Sequence, residues 1–354
     1  MNSIFSIMVC LFASSFFKYS YEGKLIASGR QPQLSTDANG VTRLAFGRND
    51  SILYCAQGGK GGSFEKPQFI ASVNKMHLGM SRGPQIASST HYSMVTAMEK
   101  DGNIHWFLID QKTGRRVKDG LVNDQKGSAP EGLMGLTSDG QDHFYAAWLD
   151  LRLNRQNNIY YSSFSTNSGK WSPNQLVYRS PDGHTCECCK PNIAVRGNHI
   201  VIMFRNWLQG SRDLYLAESV NGGKSFNTPQ KLGKGTWKLK GCPMDGGGVC
   251  IEENDHIITT WQREGMVYSC RPGEPEVEIG KGRLCSLSAR GEAIVCSYQN
   301  GESLIVKNLS SGKETVIGKG SFLKTVITPG QRLVCAWEQD GQVRVESEFV
   351  INSL

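Results

Sequence analysis

Residues Pro181 to Leu232 read PDGHTCECCKPNIAVRGNHIVIMFRNWLQGSRDLYLAESVNGGKSFNTPQKL. Four short apolar runs stand out, around Ile193 to Val195, His199 to Phe204, Leu214 to Ala217 and Thr228 to Leu232. Each has the length of a strand, and polar or glycine-rich residues that favour turns separate it from the next. The stretch therefore reads as a four-stranded antiparallel meander. Its last turn, Ser219 to Phe226 (SVNGGKSF), joins an asparagine able to bond nearby backbone to glycines that tolerate positive φ. Such a turn closes a hairpin by local chemistry alone.

The remainder of the chain repeats this unit. The strand pair around the second turn recurs as LAFGRNDSILYCA, MVTAMEKDGNIHWFLI, YAAWLDLRLNRQNNIYYSSF, VIMFRNWLQGSRDLYLAES, ITTWQREGMVYSC, AIVCSYQNGESLIVKN and LVCAWEQDGQVRVES, seven copies in all. The repeat limits are Arg30 to Ala71, Met76 to Asp124, Pro130 to Tyr178, Pro181 to Leu232, Thr236 to Gly280, Lys281 to Gly318 and Lys319 to Leu354. A repeat array is one way for a single all-β domain to fill most of a 354-residue chain that holds 40 glycines. The seventh copy ends near its third strand, and Glu22 to Ser28 resembles the fourth strands of other copies, such as Glu314 to Gly318. Placing that strand in the last blade closes a ring and removes its exposed edges. The expectation is an all-β fold, a closed β-propeller of four-stranded antiparallel blades. Seven blades are expected, with six as the alternative, in one domain over 20–354.

Lysine and arginine number 39 against 32 aspartate and glutamate, a formal charge of +7. The basic residues are spread over every repeat with no arginine-rich block or base-stacking motif, which argues against nucleic acid and for anionic ligands such as acidic sugars. Met1 to Phe17 is apolar and of signal-peptide length, with Ala13, Ser14 and Ser15 near a cleavage point, although it lacks an early lysine or arginine. A signal peptide over 1–19 is expected, hence export to the periplasm, cell surface or medium and no transmembrane span in the mature chain. Val9 is too large for the residue before a lipid-modified Cys10. Of the other ten cysteines, Cys55, Cys270, Cys296 and Cys335 sit inside apolar strand runs, where a thiol serves as a small hydrophobe.

In a closed ring the loops leading into first strands and those between second and third strands share one face, where functional residues collect. The latter carry Arg48, Asp50, Glu99, Asp101, Asp150, Arg152, Arg155, Arg205, Trp207, Arg212, Arg263, Glu264, Tyr298, Glu338 and Asp340. The leading loops carry Met76, His77, Met80, Arg82, Glu131, His184, Cys186, Glu187, Cys188, Cys189, Cys242, Met244 and Asp245.

The turn SVNGGKSF resembles the Asp-box of sialidase-type propellers, Ser-x-Asp-x-Gly-x-x-Phe/Trp, with Asn221 at the Asp position; Ser165 to Trp171 resembles a second, shorter copy. Together with CECCKPNIAV and GTWKLKGCPMDGGG, the chain resembles secreted sialidase-like proteins with BNR repeats, over nearly its full length. That resemblance implies an exo-sialidase-type glycoside hydrolase needing no cofactor, or a propeller that only binds glycan. Ser81-Arg82-Gly83-Pro84 is similar to the Arg-x-Pro segment that opens the carboxylate-binding arginine trio, with Arg205 and Arg263 as the others. Tyr298 is then the nucleophile, Glu264 its base and Asp150 the acid/base. A glycan or glycoconjugate is the expected partner, and the protein is expected to be a monomer.

The cysteine rim points to a second chemistry. Cys186, Cys188 and Cys189 offer three thiols within four residues, and the same face adds Cys242, Met244 and His184. Thiolate, thioether and imidazole suit copper(I) or zinc, and a thiol-disulfide cycle is open to the same residues. A disulfide from Cys242 to one of the three is the purely structural alternative.

Overall fold

A computed structural model describes residues 22–59 and 61–351. The expected signal peptide and Cys10 lie outside the described residues. The fold is a seven-bladed β-propeller whose sheets are antiparallel meanders, with no α-helix among the described residues.

The first, innermost strands are Arg30–Thr36, Gln85–Ser88, Met134–Ser138, Asn192–Arg196, Gly248–Ile251, Arg283–Arg290 and Ser321–Ile327, for blades 1 to 7. Each touches the next around the axis, and that of blade 7 touches that of blade 1. Strand Lys24–Ser28 pairs antiparallel with Gln342–Val350, so the outermost strand of blade 7 comes from the start of the described chain.

Why the repeat folds this way is visible in blade 4. Its second strand, His199–Arg205, buries every residue from Ile200 to Phe204. Successive side chains point to opposite faces. Ile200, Ile202 and Phe204 therefore pack with Leu149, Ile159 and Tyr161 of blade 3, while Val201 and Met203 pack with Val249 and Trp261 of blade 5. A sheet pressed between two others needs an apolar run rather than an alternating one.

The SVNGGKSF turn is fastened as its chemistry suggests. The Gly223 amide donates to Ser219 Oγ at 2.9 Å, the Ser225 amide donates to Asn221 Oδ1 at 3.1 Å, and Phe226 lies edge-on to Tyr161.

Candidate functional site

The loop leading into blade 4 folds back on the turn between that blade's second and third strands. The Cys186 amide donates to Arg205 O at 3.0 Å, and Thr185 pairs with Asn206. This double anchor turns three cysteines inward. The Sγ atoms of Cys186, Cys188 and Cys189 all lie within 4.8 Å of one another, and each residue is at least nine-tenths buried. Cys186 Sγ lies 3.6 Å from Cys188 Sγ and 3.7 Å from Cys189 Sγ. Met244, from the loop leading into blade 5, packs against the trio.

The trio's charge is balanced from outside. Arg212 Nη1 donates to Cys186 Sγ at 2.9 Å, and its guanidinium also pairs with Glu187 and lies 4.6 Å from the centre of the Trp207 ring. Hydrogen bonds from Cys188 and Cys189 hold the Cys186 thiol well below its usual range, with Arg205 adding to the effect. Cys189, buried and beside that sulfur, is pushed up to about 12. Cys186 Sγ is thus the atom on which the other two sulfurs and the arginine converge.

Two other rim expectations resolve differently. Cys242 is exposed and outside the trio, and no disulfide joins the ten described cysteines. His184 stacks on Trp207, and its Nδ1 lies 3.0 Å from Thr185 O, so this ring nitrogen faces backbone rather than sulfur. A half-buried carboxyl, Glu131, completes the outer wall; burial raises its pKa, and Glu187 and Cys186 add to the rise.

The residues expected for glycoside hydrolysis are not brought together. Arg205 is 1% exposed, and its guanidinium donates to the carbonyls of Arg212, Asp245 and Gln262 at 2.7 to 3.3 Å. Its donors are directed at backbone carbonyls. Arg263 turns outward to Glu276 Oε1 at 2.8 Å and lies over Tyr268, while Arg82 donates to Glu131 O at 2.6 Å on the rim. Three arginines thus serve three separate networks.

Tyr298 lies within the second strand of blade 6, Ala293–Asn300, rather than in a rim loop, and is 1% exposed. Its hydroxyl donates to Glu314 Oε2 at 2.6 Å, and a Cβ on Gly280 of blade 5 would come within 2.4 Å of it. Burial and the Glu314 bond both push the phenol's pKa up, the reverse of nucleophile activation. Glu264 stands exposed in a tight turn at φ 54°, and the tyrosine's carboxylate partner is Glu314 instead. Asp150 is fully buried and accepts from Ser128, Trp148 and Arg152, a bonded hub rather than a proton donor to solvent.

Lys190 and Lys324, which no sequence motif singles out, line a cavity of about 170 Å³ at the mouth of the central channel. The signal for Lys190 was its place directly after Cys189.

No family model matches the chain, and no curated protein matches it. Solved structures do. The chain is similar to a virginiamycin B lyase from Staphylococcus aureus (TM-score 0.55, 11% identity, 92% of this chain and 97% of that one). It is similar to the SapL1 lectin in complex with alpha methyl fucoside (TM-score 0.53, 14% identity, 84% and 97%). It is also similar to a leech intramolecular trans-sialidase (TM-score 0.51, 10% identity, 95% and 72%). At these identities the likeness is one of fold, which three proteins with different ligands share.

Proposed function

We propose that this propeller binds a soft metal ion, copper(I) or zinc, through Cys186, Cys188 and Cys189. The observation that carries the reading is the convergence of three buried sulfurs. A tetrahedral ion with metal–sulfur bonds of about 2.3 Å sets sulfur–sulfur edges of about 3.8 Å. Two of the separations, 3.6 and 3.7 Å, already approach that edge. Three thiolates around one cation leave net negative charge, and Arg212 with Arg205 supplies buried positive charge beside them. Met244 offers a thioether as fourth ligand, which favours copper(I) over zinc. Metal analysis of protein purified without air tests this: about one equivalent of copper or zinc is expected, lost in Cys188→Ser and Cys189→Ser. Absence of both metals, even after reconstitution, rejects the reading.

A second reading is binding of an acidic glycan without hydrolysis. Its support is the pair of lysines at the channel mouth, together with the lectin and trans-sialidase among the proteins of similar fold. The dispersal of Arg82, Arg205 and Arg263 weighs against a sialidase-type carboxylate clamp, and the burial of Tyr298 weighs against its attack on an anomeric carbon. Glycan-array screening tests the binding version, with retention of sialylated or uronate-bearing glycans expected and no retained acidic glycan as the contrary result.

A further inference from the structure

The first strands of blades 1, 6 and 7 share a device at their channel end. Each begins after a glycine, Gly29, Gly282 or Gly320, and places its second following residue at positive φ: Gln31 at 55°, Leu284 at 54° and Phe322 at 57°. Pairing slips at each of these points, the signature of a β-bulge. The bulged amide is then held by a side chain from outside its own sheet. Gln31 N–H donates to Glu338 Oε2 at 3.2 Å, Leu284 N–H to Asp245 Oδ2 at 2.6 Å and Phe322 N–H to Gln299 Oε1 at 3.4 Å. Bulges re-aim the residues that follow them.

The residue four places after each glycine faces the channel cavity: Gln33, Ser286 and Lys324. The device therefore presents two neutral side chains and one lysine amine. The Lys324 side chain makes no hydrogen bond or ion pair with any described residue, although the residue is more than half buried. Across the same cavity, Lys190 Nζ makes one bond, to Gln85 Oε1 at 2.7 Å. The carboxylate in this wall is Asp245, 3% exposed, whose oxygens already accept from the amides of Gly247 and Leu284. Two amines share this wall with one engaged carboxylate; burial works against their charged forms, and an anion seated between them would offset that cost.

We infer that the channel mouth is a binding site for a small oxyanion, a carboxylate, sulfate or phosphate group held between Lys190 and Lys324. The cavity, about 170 Å³, admits such a group and leaves a larger acidic sugar projecting toward the rim. The site is independent of the metal reading and deepens the glycan reading by naming where an acidic group would sit.

Calorimetric titration of the intact protein with sulfate, phosphate and N-acetylneuraminate tests the inference, using wild type, Lys324→Met, Lys190→Met and Lys324→Arg. At least one probe binds wild type, each methionine variant weakens it by about tenfold or more, and arginine retains it. Binding of sulfate or phosphate without N-acetylneuraminate keeps the oxyanion site and counts against the acidic-glycan reading. Binding of N-acetylneuraminate supports both. No binding by any probe, or equal affinity in well-folded Lys324→Met and Lys190→Met, overturns the site.

Discussion

Arg212 Nη1 lies 2.9 Å from Cys186 Sγ, and the two residues are buried together under the rim. A charge-assisted bond of this kind contributes about 1.5–3 kcal/mol. Arg212→Leu removes it along with the Glu187 pair and the Trp207 contact. The variant should lose metal to a competing chelator about tenfold or more readily than wild type, with Arg212→Lys between the two. Unchanged retention in Arg212→Leu would mean that the arginine is not part of the metal site.

Arg205 gives the sharpest contrast between a structural and a ligand-binding arginine. Its guanidinium satisfies three buried carbonyls, so Arg205→Leu strands them and should destabilise the fold by about 3–5 kcal/mol. Denaturant unfolding measures this. A variant of wild-type stability that has lost only ligand binding would point to a ligand-facing guanidinium.

Tyr298→Phe deletes the hydroxyl bonded to Glu314 and nothing at the rim. The expected cost is about 1 kcal/mol of stability, with glycan and metal binding unchanged. Loss of binding at intact stability would return Tyr298 to the site.

The Arg263–Glu276 pair links stability to pH. Burial alone would raise the Glu276 carboxyl, but amide bonds from Lys234 and Gly235 and the Arg263 pair outweigh it and hold the group at about 2, against an ordinary 4.5. A folded-state pKa below the unfolded one gives stability that is full above about 4.5 and is lost as pH falls toward 2. Glu276→Gln should therefore lower stability at pH 7 by about 2–3 kcal/mol and flatten the decline across that acid window. Parallel acid-denaturation curves for variant and wild type would contradict the assignment.

Blade number was legible because each blade repeats the same apolar runs and turn chemistry. The convergence of Cys186, Cys188 and Cys189 was legible for a related reason: three thiols so close in sequence need only one anchored loop to meet. Roles that depend on which way a strand residue points were not legible. Tyr298 and Arg205 lie on or at the end of strands buried on both faces, where apolar runs carry no parity signal. Lys324 was hidden differently, since its channel position depends on a bulge after Gly320 that shows only when Gly29, Gly282 and Gly320 are aligned.

X-ray absorption at the metal edge tests most directly whether three cysteine sulfurs hold one soft ion. Protein purified or reconstituted without air, with copper(I) or zinc bound, should show a first shell of about three sulfurs near 2.3 Å, and Cys186→Ser should lose one sulfur or the metal itself. A first shell of nitrogen and oxygen alone, or the same sulfur shell in Cys186→Ser, Cys188→Ser and Cys189→Ser, would contradict it.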